Sequence, residues 1–178
     1  LLNIGASFYG ILVYIQIPDV NFLSAESGVF VTGTDTGIGK THASCALLRS
    51  LRASGRRVQG MKPVASGCEW INGQWRNEDA LALMAAANTV LDYADVNPYA
   101  LPLATAPQIA SRQAGITVEL PIMQKAFMQL GASADFVLVE GVGGWLAPLG
   151  ADLDQSELVS TLEIPVLLVV GMRLGCIN

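Results

Sequence analysis

A glycine-rich turn at residues 32–41 (TGTDTGIGKT) constrains this chain more than any other feature, because it joins a short apolar run to a helix-forming stretch. Backbone N–H groups in such a turn can converge on a phosphate, and the N-terminal end of the helix adds partial positive charge. In this interpretation Lys40 bridges the outer phosphates and Thr41 offers its hydroxyl oxygen to Mg²⁺. Five residues, rather than the usual four, separate Gly33 from Gly39. The turn predicts a phosphate-binding loop, and an ordinary glycine turn that caps a helix is the alternative.

Short apolar runs alternate with longer helix-forming stretches along the rest of the chain. The runs are rich in β-branched residues and nearly continuous in apolar residues, which is typical of strands covered on both faces. Predicted strands span 28–32, 57–61, 136–140 and 166–170, and predicted helices span 40–54, 77–87, 120–130 and 155–162. The alternation predicts an α/β fold of the P-loop NTPase type: a doubly wound, mostly parallel sheet with helices on both faces.

The composition indicates one globular domain and argues against several kinds of partner. With 178 residues, 52% hydrophobic and 14% charged, the chain can bury a core. A net charge of −5 provides no basic field for DNA or RNA, so no nucleic acid partner is expected. The three cysteines form no C-x-x-C pair, which argues against a disulfide framework and a zinc site. We therefore expect a cytoplasmic protein.

The first 28 residues differ from the rest of the chain. Residues 1–17 carry no charge, but the run is shorter than the ~20 apolar residues of a membrane span, so no membrane partner is expected and a span is the minor alternative. A secretory signal needs a positive start, and the first Lys or Arg is Lys40. We expect residues 1–28 to be a leader or linker outside the fold. Residues 29–178 would form the P-loop domain, truncated at its C-terminus.

Charged side chains follow the predicted strands, at the edge where ligands bind in such sheets. Glu140 ends an apolar strand, where a buried carboxylate is costly without a cation; a solvated strand end is the alternative. Asp79 is a second candidate metal ligand, or else an acid that stabilises a helix N-terminus. Lys62 follows the second strand and would bind an anionic substrate, or else is a surface lysine.

Six motifs in order resemble those of the dethiobiotin synthetases of biotin biosynthesis. They are VTGTDTGIGKT (31–41), KPVASG (62–67), N-x-DAL (77–81), VNPY (96–99), VEG-x-GGW (139–145) and GCIN (175–178). The resemblance covers residues 29–178, whereas the phosphate loop alone would indicate only nucleotide binding. It implies an ATP- and Mg²⁺-dependent ligase. In that reaction 7,8-diaminononanoate takes up CO₂ as a carbamate, ATP phosphorylates the carbamate, and the second amine displaces phosphate to close a ureido ring.

The resemblance also implies a role for each matching residue. Lys40 and Lys62 are the implied catalytic residues, with Lys62 on the carbamate. The implied cofactor-binding residues are Gly37, Ile38, Gly39, Lys40, Thr41, His42, Asp79, Glu140, Gly141, Val142 and Gly143, of which Thr41, Asp79 and Glu140 hold the metal. The implied substrate-binding residues are Thr36, Lys62, Ser66, Gly143, Leu174, Gly175, Cys176 and Asn178.

The same resemblance implies a homodimer with a composite active site, in which residues 174–178 of one subunit face Lys62 and Gly143 of the other. His42, the single histidine, is expected to contribute its backbone while its ring lies on the helix surface.

Two alternatives keep the fold and change the activity: an amide-forming ligase of the cobyrinate type, or a partitioning-type ATP switch. The second alternative normally has a signature lysine early in the loop, where this chain has Asp35.

Overall fold

The alternating pattern of the sequence folds into strands and helices close to the predicted ones. The structure, a computed structural model, describes residues 2–8, 11–17, 27–88 and 92–176. Its strands are β1 (Leu2–Phe8), β2 (Ile11–Ile17), β3 (Gly28–Gly33), β4 (Val58–Met61), β5 (Val64–Ser66), β6 (Glu69–Ile71), β7 (Gln74–Arg76), β8 (Tyr99–Leu101), β9 (Phe136–Glu140) and β10 (Val166–Val169). Its helices are α1 (Lys40–Ala53), α2 (Glu78–Ala86), α3 (Tyr93–Val96), α4 (Pro107–Ala114), α5 (Leu120–Ser133) and α6 (Gln155–Leu162).

The four predicted strands form one parallel sheet in the order β10-β3-β9-β4. Because successive side chains of a strand point to opposite faces, β3, β4 and β9 each contribute to two cores, whereas Val166 and Leu168 of β10 are exposed. Val29, Val31 and Leu138 pack in one buried cluster with α1 and α2, while Phe30 and Val139 pack in the other with α3, α5 and α6. Helices therefore cover both faces, and the predicted α/β fold is confirmed.

Strand order places the predicted site residues that follow β3, β4 and β9 at one edge of this sheet. All four strands are parallel, so their carboxyl ends lie together, and β3 and β4 flank β9. The chain leaves β3 into the glycine-rich turn, leaves β4 towards Lys62, and ends β9 at Glu140. This edge is where open α/β sheets bind their ligands.

Several short elements were not predicted. The strand pair β5–β8 is parallel, and β6–β7 is an antiparallel hairpin whose turn holds Asn72 and Gly73 at positive φ. Strands β1 and β2 pair with each other in a separate antiparallel sheet. Most of the predicted linker, 18–26, lies outside the described residues, so the division into a leader and a domain stays a prediction. In the part of the chain that the structure describes, no helix is long and apolar enough to span a membrane.

Candidate functional site

A cleft of about 750 Å³ opens at the carboxyl edge of the sheet. Its lining combines the glycine-rich turn, the residues after β4, the start of α2 and the loop after β9. The lining residues are Thr36, Gly37, Gly39, Lys40, Thr41, Lys62, Ala65, Ser66, Asn77, Glu78, Asp79, Ala104, Thr105, Ala106, Pro107, Val142, Gly143, Ala147 and Pro148. Most of the predicted site residues among those described therefore share one space.

The glycine-rich turn has the geometry of a phosphate-binding loop. Gly37 and Gly39 have φ of 71° and 100°, in the left-handed region that favours glycine, and Gly39 caps α1. Lys40, only 7% exposed, donates from Nζ to the carbonyl oxygens of Asp35 at 2.9 Å and Gly143 at 2.8 Å. Burial, together with the neighbouring ammonium of Lys62, lowers the pKa of Lys40 below its ordinary value. The ammonium is thus held between the glycine-rich turn and the loop after β9.

Three oxygen-bearing side chains from different elements converge at the start of α1. The Thr41 hydroxyl lies 2.8 Å from Asp79 Oδ1 and 2.8 Å from Glu140 Oε1. Asp79 reaches this point because α2 begins at Glu78, where the side chain of Asn77 caps it by accepting from Ala80 N. Glu140, at the end of β9, is 0% exposed. The predicted metal ligands therefore lie together, with oxygens close enough to share one cation.

Lys62 lies against both carboxylates. Its Nζ donates to Glu140 Oε1 at 2.7 Å, Asp79 Oδ2 at 3.0 Å and Gly141 O at 3.2 Å. Burial works to lower the pKa of Lys62, but the carboxylates of Glu140 and Asp79 outweigh it and hold the pKa above its ordinary value. Burial likewise works to raise the pKa of Asp79, and the ammonium of Lys62 with the Thr41 hydroxyl lowers it overall. Lys62 and Asp79 therefore each favour the charged form of the other.

The donor set is suited to Mg²⁺. Glu140 Oε2 is buried and has no hydrogen-bond partner among the described residues, a state that a cation would relieve. No group of three or more His, Cys, Asp or Glu that could hold a metal occurs in the described ranges. A cation here would take two carboxylates and one hydroxyl from the protein, and Mg²⁺ usually takes few protein ligands and completes its shell with water and phosphate oxygens.

Some of the other predicted residues line the cleft, and some lie in the core or on the surface of α1. Thr36, Ser66 and Gly143 line the cleft, and Ser66 Oγ is buried without a hydrogen-bond partner in the residues described. Ile38 packs in the core beside α1, so only its backbone can meet a phosphate. His42 is exposed on α1, as expected for its ring. Glu140 and Gly141 line a second, much smaller cavity behind the cleft wall.

Leu174, Gly175 and Cys176, the described residues of the predicted C-terminal segment, do not line this cleft within a single chain. Leu174 is fully exposed, and Gly175 has φ of 89° in a turn closed by the Cys176 N–H bonding to Arg173 O. Arg173 also lies 3.7 Å from the Asp35 carboxylate. Asn178 lies outside the described residues. The role of these residues in a partner's site stays a prediction.

Some residues of the site were not predicted from the sequence. One wall of the cleft consists of Ala104–Pro107, at the start of α4, and of Ala147–Pro148. These segments contain no motif that would have indicated a site. Gln155 is the first residue of α6, and its side chain holds the loop after β9. The capping pattern of Asp154 and Glu157 does mark this helix start in the sequence, but it does not show where the glutamine amide points.

Comparison with known proteins gives one consistent result. A family model described as an AAA domain matches residues 27–178. The chain is 61% identical over 152 residues to the ATP-dependent dethiobiotin synthetase BioD of Xylella fastidiosa (strain 9a5c), covering 85% of this chain and 67% of that protein. It is 61% identical over 149 residues to the protein of the same name from Xanthomonas axonopodis pv. citri (strain 306), covering 84% and 66%. The chain thus spans about two thirds of the length of these relatives.

Proposed function

The chain belongs to the ATP-dependent dethiobiotin synthetase family, and from this membership we propose that it closes the ureido ring of dethiobiotin in biotin biosynthesis. Its substrates are 7,8-diaminononanoate, CO₂ and ATP. One amine takes up CO₂ as a carbamate, and a carbamate oxygen attacks the γ-phosphorus of ATP with ADP as the leaving group. The second amine then attacks the carbonyl carbon of the mixed anhydride, and phosphate leaves. Phosphorylation is required because a carbamate oxygen alone is a poor leaving group.

The glycine-rich turn holds the triphosphate of ATP. Its backbone and the N-terminus of α1 face the cleft at Gly37, Gly39 and Lys40. Lys40 is held by two carbonyl oxygens in the protein alone and can exchange one of them for phosphate oxygens. A buried ammonium aimed at the transferring group stabilises the charge that develops there, more strongly than the same charge would in water.

Thr41, Asp79 and Glu140 would hold Mg²⁺, which would supply positive charge against the phosphates of ATP. The protein contributes the three converging oxygens, of which Glu140 is fully buried and Asp79 is half-buried. The Asp79 carboxylate faces the cleft, so a cation held there would have room for phosphate oxygens and water beside its protein ligands.

Lys62 binds the carbamate. Its three N–H groups are all taken, by Asp79, Glu140 and Gly141, so binding of an anionic oxygen exchanges one of them. Asp79 is the partner exchanged, because its side chain is 33% exposed while that of Glu140 is 0% exposed. The exchange would free Asp79 Oδ2 from Lys62. Thr36 and Ser66 line the same cleft and supply hydroxyls for the substrate.

The observation that carries this proposal is the cluster of Lys62, Glu140, Asp79 and Thr41 beside the glycine-rich turn. A phosphate loop alone serves many reactions, whereas a second buried lysine beside the metal carboxylates suits an anionic acceptor for the phosphoryl group. Together with the match to the relatives, this arrangement favours the ring-closing ligase over a partitioning-type switch or a cobyrinate-type ligase.

The test is formation of dethiobiotin from 7,8-diaminononanoate, bicarbonate and MgATP, followed by mass spectrometry. The wild-type protein should form product with stoichiometric release of ADP and phosphate. Lys62→Ala should raise the KM for the diamine and lower kcat, because the charge acts on the bound carbamate and on its phosphorylation. The control is Lys125→Ala, which removes an exposed lysine of α5 and should leave both constants unchanged. ATP turnover without dethiobiotin would contradict the proposal.

Two finer features belong to the same proposal. The protein acts in the cytoplasm, where its free cysteines stay reduced. It acts as a homodimer in which the exposed segment that includes Leu174, Gly175 and Cys176 reaches the partner's cleft and, with Asn178, binds the distant carboxylate of the substrate. The full exposure of Leu174 and the positive φ of Gly175 support a segment that presents backbone outward.

A further inference from the structure

Gln155 is a buried glutamine that joins the loop after β9 to the end of β3. It is 1% exposed at the start of α6. Its Oε1 accepts from Val142 N at 2.7 Å, and its Nε2 donates to Gly144 O at 2.9 Å and to Thr32 Oγ1 at 3.2 Å. An unpaired amide would be costly in this buried position, so the three bonds hold the side chain in one orientation.

One peptide group connects Gln155 to Lys62. The N–H of the Gly141–Val142 peptide bonds to Gln155 Oε1, and the C=O of the same peptide accepts from Lys62 Nζ at 3.2 Å. A peptide group is planar, and in its trans form the N–H and C=O point in opposite directions. Fixing the N–H on one side therefore fixes the carbonyl on the side of Lys62.

Glycine at position 141 allows this contact. A β-carbon built on Gly141 would overlap the Gln155 side-chain amide, with Cδ at 2.7 Å. The amide can thus lie directly against the backbone that it orients. The same loop offers Gly143 O to Lys40, and the bond from Gln155 Nε2 holds the adjacent carbonyl of Gly144. Gln155 therefore fixes the two ends of a short segment whose carbonyls contact both lysines of the site.

We propose that Gln155 is a positioning residue of the ring-closing reaction, which orients the Gly141–Val142 peptide so that its carbonyl holds the ammonium of Lys62. The role of Lys62 on the carbamate rests on the proposed function, whereas the contact itself does not. Gln155 touches neither substrate nor nucleotide in this arrangement, because it lies behind the loop and does not line the cleft. Its effect on the reaction passes through one peptide group.

The test uses Gln155→Met, which keeps the length of the side chain and removes its polar atoms. Hydrogen exchange of the Val142 amide, followed by NMR, should become about tenfold faster, because the amide loses its acceptor. The KM for 7,8-diaminononanoate should rise about three- to tenfold, and by more than the KM for ATP. A general loss of stability would instead raise exchange at many amides and change both KM values alike.

The matched control is Glu157→Ala in the same first turn of α6. Glu157 is exposed, and its carboxylate accepts from Asp154 N, so the variant weakens the helix start without touching the loop. It should leave Val142 exchange and the diamine KM unchanged. Equal Val142 exchange in Gln155→Met and Glu157→Ala would overturn the proposal, as would a parallel rise of both KM values.

A second variant keeps the proposal testable if Gln155→Met does not fold. Gln155→Glu retains an acceptor for the Val142 N–H and loses the donor to Gly144 O. Its Val142 amide should stay protected, and a folded Gln155→Glu protein with an unprotected Val142 amide would overturn the proposal. A wild-type protein that forms no dethiobiotin would contradict the proposed function instead, while the exchange measurement would still decide the contact.

Discussion

At the scale of single residues, the site depends on charges that the core would not tolerate separately. Glu140 is fully buried and Lys62 is 3% exposed, yet each has an opposite charge within 2.7 Å. Burial makes such a pair costly to separate, since removing one partner leaves the other charged and desolvated. A cation could replace Lys62 beside the carboxylate, and an anionic substrate could replace a carboxylate beside Lys62. The same contact between Lys62 and Glu140 therefore contributes both to the stability of the fold and to the proposed site.

The metal assignment predicts the effect of neutralising single carboxylates. Asp79→Asn and Glu140→Gln should each weaken Mn²⁺ binding in the presence of ATP by about ten- to a hundredfold, because each removes a charged oxygen ligand. Electron paramagnetic resonance of Mn²⁺ measures this without turnover. Asp152→Asn removes an exposed carboxylate that does not line the cleft and is the control. Equal affinities in all three variants would show that the cation binds elsewhere.

The Lys62–Glu140 pair predicts a coupling in stability. Lys62→Met should lower the free energy of unfolding by about 3 kcal/mol, because Glu140 and Asp79 lose their cation. The double variant Lys62→Met/Glu140→Gln should recover part of that loss, since the remaining buried amide is neutral. Urea unfolding of the single and double variants gives the coupling energy. Strictly additive effects would mean that the two side chains do not interact in solution.

Residues with a charge after an apolar strand could be predicted from the sequence, and residues that act through contacts could not. Glu140 and Lys62 stand out because a charge next to a buried strand requires a reason. Gln155 gives no such signal, since its partners Val142 and Thr32 are brought near only by the fold. Ile38 lies within the predicted loop, but its burial in the core decides that its side chain cannot contact a phosphate.

At the scale of elements, β4 and α2 are packed so closely that only glycine fits between them. A β-carbon on Gly60 would lie 2.7 Å from Leu83 Cβ and 3.1 Å from Leu48 Cδ1. Gly60→Ala should therefore lower the free energy of unfolding by about 1–3 kcal/mol through overpacking. Gly131→Ala, in the exposed part of α5 with no atom within 4 Å, is the control and should raise it by about 0.5–1 kcal/mol. Chemical denaturation of both variants measures whether the free energy of unfolding falls or rises at each site.

The starts of β4 and β9 are joined by Arg57 and Asp135. The guanidinium Nη2 lies 2.6 Å from Asp135 Oδ1, and the Arg57 N–H donates to Oδ2 at 2.9 Å. These hydrogen bonds lower the pKa of Asp135 to about 2. The ionised carboxylate therefore adds stability above its unfolded pKa, and that stability is lost as the pH falls through the folded pKa.

This linkage predicts the pH dependence of one variant. Asp135→Asn should lower the Tm modestly at pH 7, and its difference from the wild type should shrink between about pH 4 and pH 2. Thermal unfolding followed by circular dichroism at several pH values measures the difference. Asp152→Asn changes an exposed aspartate in the loop before α6 and serves as the control. A difference that does not depend on pH would mean that the ion pair is absent in solution.

The strands of the core sheet could be predicted because their sequences are apolar runs: β3, β4 and β9 are buried on both faces, and β10 is apolar although Val166 and Leu168 are exposed. The four predicted strands and four predicted helices match the observed ones to within a few residues. The three-residue strands β5 and β8 and the four-residue helix α3 are too short to show a period. Their positions depend on long-range pairing, such as that of Val64 with Tyr99, which no local pattern encodes.

At the scale of the whole molecule, two core clusters on opposite faces of the sheet leave its carboxyl edge as the surface where residues from distant parts of the sequence meet. That edge holds the glycine-rich turn, the carboxylates of Asp79 and Glu140, and Lys62. The segment 174–176 lies outside this cleft in its own chain, with Leu174 fully exposed. A segment that presents backbone outward can serve a neighbouring copy, which gives the composite site of the proposed homodimer a specific test.

Complementation between two inactive variants tests the composite site. Lys62→Ala removes the lysine proposed to bind the carbamate, and Gly175→Trp places a bulky side chain at a position whose φ is 89°. Each homodimer should be inactive. In an equal mixture after subunit exchange, about half of the dimers are mixed and each has one intact site, so activity should recover to about a quarter of the wild-type value. Lys62→Ala mixed with a second Lys62 variant, Lys62→Met, is the control and should recover nothing. Absence of recovery in exchanged mixtures, verified by native mass spectrometry, would show that each chain completes its own site.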